Sequence, residues 1–366
     1  MAADPHVLDA GHARAVAERH AGHADEHRAV GPETVEAVVA AGFARHLVPA
    51  RWGGGEGGFA ELTRAVAEVG RGDTSAAWLA SLFAYSARLG AYLPEDGQAE
   101  LWDKGPDVLV AAALVPGGRA RSTPEGWRVS GRWPYTSGID TADWTLACTR
   151  PEDGGPVFVA VPRADFTTAD SWHTVGMRGT ASHTLILDDV LVPPQRVFRS
   201  ADAAAGHSAG NPGPVFEVPL RAISGLTFTA PLLGAARGAF DDFRRTLRPG
   251  SPAPAGVARA DGETDAADLL LHRVAVTADR GGAGPAEVAR GLRDSALAAS
   301  LLVSAVDRLV TAAGTAGQSR DRPLQRFWRD VHTASSHVAL RFDKASAAWL
   351  QLLEESTDRR SVDEHD

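Results

Sequence analysis

Three short segments hold most of the side chains able to do chemistry. The first is Arg329-Asp330-Val331-His332-Thr333-Ala334-Ser335-Ser336-His337, late in the chain. Histidines titrate near neutral pH and suit proton transfer to or from a phenol or amine. The second is Gly131-Arg132-Trp133-Pro134-Tyr135-Thr136-Ser137-Gly138. A strand entering a tight turn there would expose hydroxyls and backbone amides along one edge, enough to hold the polar rim of a flat heterocycle. A plain hydroxyl-rich turn, capping its own backbone, accounts equally for its composition. The third runs from Trp172 to His183 through Gly176-Met177-Arg178-Gly179-Thr180 and ends in Asp188-Asp189-Val190-Leu191-Val192-Pro193. Its Arg178 could grip a carboxylate or pyrophosphate, or pair with Asp188 or Asp189 and staple the fold. Ser182 and His183 are neighbours in an alternating strand and should face opposite ways.

These segments need elements to position them. Residues 1–107 read as helical: Val35–Phe43 has amphipathic spacing, Phe59–Val69 resumes it, and Asp73-Thr74-Ser75 caps a helix through Trp78, Leu82 and Tyr85. The glycine run at 53–58 has no Lys-Ser/Thr pair behind it and lacks dinucleotide spacing, so it reads as a turn. Residues 108–200 change to short strand-like runs separated by glycine, proline and acidic turns, a small antiparallel β domain. Residues 215–366 return to helix, with long runs at Leu226–Phe243, Thr264–Ala278, Pro285–Val310 and Leu324–Leu353, a four-helix bundle. Pro/Gly-rich joins fall at 207–214 and 248–256, and the charged tail beyond Glu354 is expected to fray. On the last helix Arg326, Asp330, Thr333 and His337 form one polar column by their 4-3-4 spacing, whereas His332 lies elsewhere. A solvated surface face is the competing account of that column.

The whole chain narrows the function. It has 366 residues, 44% of them hydrophobic, and a net charge of -9 with mixed signs, which argues against a nucleic-acid surface. Cys148 is the only cysteine, so intrachain disulfides and thiolate metal clusters are excluded, no metal is expected, and a reducing cytoplasm is the simplest setting. No signal-peptide pattern and no uncharged 18-residue apolar window is read, so no membrane span is expected. Nine tryptophans and twelve phenylalanines supply rigid apolar surface, some of it able to line a pocket for a flat ligand.

The order helical, β, bundle resembles the acyl-CoA dehydrogenase fold. Tyr135-Thr136-Ser137-Gly138 and the pattern Trp172-x-x-x-Gly176-Met177-Arg178-Gly179-Thr180-x-Ser182-His183 are similar to that superfamily, from about residue 30 to 355. They look most like its two-component monooxygenases, which include hydroxyphenylacetate-type hydroxylases, dibenzothiophene monooxygenase and amino-sugar N-oxygenases. The resemblance implies a flavin between β domain and bundle. Its contacts would be Tyr135, Thr136, Ser137, Arg178, Thr180 and Ser182, with Thr136 supporting N5. The phosphates would fall to Arg237 and Gln318, or to Arg244, Arg320 or Arg322, partly across a subunit interface. His337 would act as base toward the substrate, with Ser137 beside the flavin C4a-(hydro)peroxide and Asp330 in the catalytic set. Phe83, Trp144 and Thr333 would wall the substrate. Two departures stand out. The α-proton-abstracting glutamate of typical dehydrogenases would fall at residue 338, which is Val338, and Leu114-Val115-Pro116-Gly117-Gly118 lacks the second histidine of phenol hydroxylases. The implied activity is oxygenation of an aromatic, heteroaromatic or amine small molecule. It would use O₂ and reduced FMN or FAD from a separate NAD(P)H-dependent reductase, in a homotetramer. The alternatives are an acyl-CoA or carrier-thioester dehydrogenase or oxidase, with a displaced base such as Glu217 or Asp330, and a non-catalytic protein keeping the fold.

Overall fold

The computed structural model describes residues 7–208, 210, 213–247, 254–281 and 283–363, with side chains in the last helix to 354. The joins expected at 207–214 and 248–256 fall partly outside the described residues, as do the side chains of the tail beyond Glu354. Five helices come first: α1 (Ala10–His27), α2 (Pro32–Ala40), α3 (Phe59–Gly70), α4 (Thr74–Gly90) and α5 (Glu95–Leu101). α4 starts where its cap dictates, with the Asp73 carboxylate accepting the Ala76 amide at 2.7 Å. The glycine run before α3 packs rather than binds. A Cβ at Gly54 would sit 2.1 Å from the Val48 carbonyl oxygen, and one at Gly57 2.2 Å from the His46 ring. The α3 N-terminus, a natural anion site, is already filled by Asp279, which accepts the Phe59 and Ala60 amides at 2.5 and 3.0 Å.

Seven strands follow: β1 (Val110–Thr123), β2 (Gly126–Thr136), β3 (Trp144–Pro151), β4 (Val157–Pro162), β5 (Thr167–Ala169), β6 (His183–Val192) and β7 (Val197–Arg199). They form one sheet in the order β5-β6-β2-β1-β3-β4-β7. Every pair is antiparallel except β1 with β3, which run parallel from Val110 opposite Trp144, so the sheet is mixed. The crossover through β2 and the 137–143 turn lets β3 lie beside β1 in the same direction, a pairing that alternation in sequence does not reveal. One irregularity bears on function. Trp133 pairs with Leu185 and Thr136 with His183, so β2 carries an extra residue and bulges just before Ser137.

Two short helices, α6 (Ser200–Ala205) and α7 (Pro214–Glu217), lead into the bundle of α8 (Leu220–Arg244), α9 (Ala255–Asp279), α10 (Pro285–Ala313), α11 (Pro323–Ser335) and α12 (Phe342–Asp363). Small residues let the helices approach closely: a Cβ on Gly234 of α8 would lie 2.3 Å from the Ala67 carbonyl oxygen of α3. α10 carries a window apolar enough to cross a membrane by length and composition. Its Leu302, Ala305, Val306 and Leu309 are instead buried against the bundle. The fourth expected helix is two helices. The chain leaves helix at Ser336, makes a 3-10 turn over Val338–Leu340 and restarts at Phe342. His337 therefore stands in the break, with φ -59° and ψ 136°, and does not share a helical face with Asp330. The polar column read from spacing ends at Thr333.

Candidate active site

The bulge in β2 re-aims the chain. Tyr135 takes the left-handed conformation (φ 64°), leaves its ring 75% exposed and packs it edge-on against Trp172, 6.1 Å between centroids. Two more non-glycine residues with positive φ lie in the facing loop, Met177 (53°) and Ala181 (43°). Such conformations are costly and gather where a ligand needs a particular backbone. The two segments are laced together, the Gly138 amide donating to the Thr180 carbonyl at 3.0 Å.

Between them runs a chain of hydroxyls. The Trp78 indole N–H, from α4, meets Ser137 Oγ at 3.1 Å. Ser137 Oγ lies 2.7 Å from Ser182 Oγ, which lies 2.7 Å from Thr180 Oγ1. Thr180 Oγ1 donates to the Met177 carbonyl at 2.9 Å. Thr180 and Ser182 are buried, whereas Ser137 keeps an open side. Thr136 does not join them. Its hydroxyl is fully buried and donates to the Trp133 carbonyl at 3.0 Å, because β alternation turns it away from Ser137. Its buried hydroxyl is turned away from the open side on which Ser137 lies. His183 points opposite to Ser182, as alternation requires, and its Nδ1 faces the Ser171 and Trp172 amides at 3.2 and 3.4 Å.

His337 forms the other wall. Its ring stacks on Phe228 of α8 (3.8 Å between centroids, 29° between planes) and stands edge-on to Trp78 at 5.9 Å. Trp78 in turn lies 5.2 Å from Phe228. Burial pushes the His337 pKa down to about 4. Its Nδ1 accepts the Ala339 amide at 3.2 Å, so the neutral ring carries its proton on Nε2. This corrects the expectation of a base: with its Nδ1 lone pair engaged, His337 presents an N–H donor. Sequence reasoning missed Phe228, a phenylalanine in an apolar helix, and placed Trp78 only as a helix residue. Nothing in their spacing separates them from ordinary core.

Several expected site residues are engaged elsewhere. Arg178 donates to the Asp25, Thr174 and Glu26 carbonyls and lies 3.5 Å from the Asp25 carboxylate, so it is a staple to the end of α1 and not a cofactor ligand. Asp330 is buried and accepts the Met177 amide at 2.5 Å. Burial and the neighbouring Asp73 raise its pKa to about 7. It therefore holds the strained loop and touches no site atom in this set, which removes it from the catalytic group. The loop is clamped from the same helix at Gly176, where a Cβ would fall 2.1 Å from the Arg329 carbonyl oxygen. Phe83 packs beneath Gly138 in the core, and Trp144 is covered by the Arg196 guanidinium at 5.0 Å from its ring. Neither stands beside His337. Thr333 Oγ1 is buried without a partner, as is Arg326 Nε. His332 pairs with Asp307, which also accepts the Trp328 indole N–H, at 2.8 and 2.7 Å. Arg237 pairs with Asp268 on α9 and Arg322 with Asp242, whereas Gln318 is exposed. A cleft of about 510 Å³ lies elsewhere, between α9 and α10 and lined by Ser300, Ser304, Asp307, Arg308 and Thr311 among others. It is open, and it brings together none of the hydroxyl-chain residues.

A bulged β edge bearing hydroxyls, facing a helical bundle across an aromatic wall, is the arrangement of a flavin-binding acyl-CoA dehydrogenase fold. The chain belongs to the acyl-CoA dehydrogenase family, matching the model of its N-terminal domain over residues 10–101 and that of its C-terminal domain over 226–342. It is 32% identical to the FADH(2)-dependent resorcinol hydroxylase oxygenase component of Rhizobium sp. (strain MTP-10005), over 93% of this chain and 92% of that one. Among solved structures it is similar to the 3-HSA hydroxylase from Rhodococcus sp. RHA1 (TM-score 0.87, 27% identity, 92% of this chain and 93% of that one). It is also similar to XiaF from Streptomyces sp. in complex with FADH2 and glycerol (TM-score 0.85, 27% identity, 92% of this chain and 91% of that one).

Proposed function

We propose that this chain is the oxygenase component of a two-component, flavin-dependent monooxygenase acting on a small aromatic or heteroaromatic molecule. The observation that carries the reading is His337, seated on Phe228 and beside Trp78, whose N–H reaches the hydroxyl chain. The position that would hold a dehydrogenase glutamate is Val338, 48% exposed. The residues present suit a flavin. Ser137 has an open side, the backbone of Tyr135–Ser137 is held at a bulge, and Trp78 and Phe228 offer flat apolar surface. When bound, reduced flavin supplies the electrons that activate O₂. One oxygen atom enters the substrate and the other leaves as water.

The protein's own work is orientation, donation and exclusion of water. Ser137, fixed by Trp78 and Ser182, fixes the cofactor edge. His337 offers its Nε2–H to an oxygen on the substrate, so an ionised phenol or a carbonyl is held better than a neutral hydrocarbon. Burial keeps the ring neutral, so it never competes as a cation. Oxygenase components of this kind work with a separate flavin reductase. A homotetramer joined bundle on bundle belongs to the same proposal. It is supported by the exposed Phe342, Leu350 and Leu353 on α12, which lie within one quadrant of the helix. A cytoplasmic setting fits the single buried thiol, Cys148.

The thioester dehydrogenase reading lacks a base. Asp330 is committed to the Met177 amide, and Glu217 is exposed on α7. The deciding assay supplies chemically reduced FMN or FAD, O₂ and a panel of phenols and indoles, in parallel with acyl-CoA and an electron acceptor. Oxygenated product in the first arm alone is expected. Turnover in the second arm alone would overturn the reading, and failure to bind flavin would favour a non-catalytic protein of this fold.

A further inference from the structure

The sheet turns a second surface, free of hydroxyls, toward the aromatic wall. β1 and β2 form a hairpin, paired from Arg119 opposite Ser130 to Thr123 opposite Gly126, so the start of β1 and the end of β2 share its open end. Ser137 follows β2 there, under the Trp78 indole of α4. Alternation splits the start of β1 into two faces. Ala111 and Ala113 are buried in the sheet's own core with Trp133, Val159 and Leu185. Val110, Ala112 and Leu114 face the helical core that holds Trp78 and Phe228. Val110 is fully covered, whereas Ala112 and Leu114 keep partly open surface. α4 shows a matching gap. Every residue from Thr74 to Gly90 is buried except Leu82, one turn beyond Trp78 on the same face. Between them Ser81 donates to the Thr227 carbonyl at 2.7 Å, which sets this turn of α4 beside Phe228. Surface left open inside such covered elements marks a chamber, and Trp78, 5.9 Å from the His337 ring, joins it to the site.

We propose that Leu82, Ala112 and Leu114 form the floor of the substrate chamber, and that this hydrocarbon floor selects aromatic substrates bearing one oxygen acceptor, such as monohydric phenols and naphthols, over dihydric ones. The proposal rests on the reading of the chain as an aromatic oxygenase, with His337 as the donor to the substrate. That N–H serves one oxygen. A second hydroxyl lying over the floor gives up its water and finds neither donor nor acceptor there. A hydrocarbon surface of this kind discriminates against an added hydroxyl by about tenfold to a hundredfold. The small Ala112 side chain and the partly open Leu82 leave room for ring surface instead, and a second fused ring gains by covering them. Leu114 and Ala112 are thus specificity-determining residues on the sheet, at the end of the hairpin that also carries Ser137.

The test measures binding first and product second. Phenol, resorcinol and 2-naphthol are titrated calorimetrically into the intact protein, anaerobically, with and without reduced FMN or FAD. Thermal unfolding confirms that each variant is folded. Wild type should bind phenol about tenfold or more tightly than resorcinol, and 2-naphthol more tightly than phenol. Ala112→Ser and Leu114→Asn each place a polar partner on the floor and should narrow the phenol-to-resorcinol ratio about fivefold. Ala113→Ser, one residue along but facing the sheet core, should leave that ratio within about twofold. Leu82→Phe fills the floor and should weaken 2-naphthol relative to phenol by about fivefold or more. Resorcinol bound by wild type as tightly as phenol overturns the floor, as does an equal shift from Ala113→Ser and Ala112→Ser. Oxygenated product formed with reduced flavin and O₂ would still uphold the oxygenase reading in that case. Selective binding with no oxygenated product from any of the three would leave the chamber standing and overturn the oxygenase reading.

Discussion

The two walls of the site are built on opposite principles. The β-edge wall is saturated with hydrogen bonds. Ser137, Ser182 and Thr180 each hold two partners, and the backbone around them is strained at Tyr135, Met177 and Ala181. The bundle wall has aromatic rings and one ring nitrogen. The His337 ring accepts one hydrogen bond, from the Ala339 amide, and lies in a break between two helices beside the exposed Val338. A wall that must recognise one invariant cofactor can be fixed in every proton. A wall that must accept a substrate and release its product gains from rings that tolerate sliding and a single donor that sets orientation.

The comparison breaks most visibly at His337. Removing the ring in His337→Ala takes away the one polar group of the bundle wall. Product formed per flavin oxidised should fall about 30-fold, or roughly 2 kcal/mol of orientation, with H₂O₂ released instead. Flavin affinity should stay within about twofold, because the β-edge wall is untouched. His337→Gln replaces Nε2–H by an amide N–H and should recover part of the coupling. The pH profile separates donor from base. A ring with its pKa near 4 stays neutral across the working range, so no activity step should follow His337 between pH 5.5 and 8. Recovery by Glu but not Gln, or a step near pH 6.5 that disappears in His337→Ala, would restore the base.

Much of this contrast was written in the sequence, and the missing parts have physical causes. Capping at Asp73, the change to strand-like runs and the long bundle helices depend on local chemistry, and local chemistry is legible. Ser137, Thr180 and Ser182 lie in segments that the resemblance singled out, and the structure brings their hydroxyls together. The parallel β1/β3 pairing depends on which strands meet, and no periodicity records that. Helical spacing from Arg326 to Thr333 continued smoothly to His337, so the break at Ser336 was invisible. Arg178 and Asp330 lay in the right segments, yet their charges are spent on holding the loop to α1 and α11. A charged side chain in a motif does not disclose whether it faces a ligand or another backbone. Phe228 shows the converse, a site residue that looked like core until His337 was laid on it.

A smaller perturbation probes how the rigid wall is held. Asp330 grips the Met177 amide as a buried carboxylate whose pKa is raised to about 7, mainly by desolvation and then by Asp73. The folded state therefore binds this proton more tightly than the unfolded chain, whose value is 3.8. Its contribution is complete below pH 4 and is lost as pH rises through 7. Asp330→Asn keeps an oxygen for Met177 and removes the ionisation. Unfolding free energies of the two proteins should diverge between pH 4 and 7, with the variant gaining by no more than about 1.4 kcal/mol per pH unit. Parallel curves would show that Asp330 is not the buried acid described.

The smallest effect tests whether the rigid wall is a chain of three chosen hydroxyls or merely a polar edge. Thr136 sits next to Ser137 in sequence and its hydroxyl is also hydrogen-bonded, but its proton goes inward to the Trp133 carbonyl. Thr136→Val should cost about 1 kcal/mol of stability, the net worth of one buried hydrogen bond, measured by denaturant unfolding. It should leave flavin affinity in both redox states within about twofold, since the cofactor side loses nothing. If Thr136→Val weakens flavin as much as Ser137→Ala does, flavin binding belongs to the edge as a whole. Ser137 would then lose its special place, and the contrast between a hydrogen-bonded wall and an aromatic one would soften to a contrast between polar and apolar surfaces.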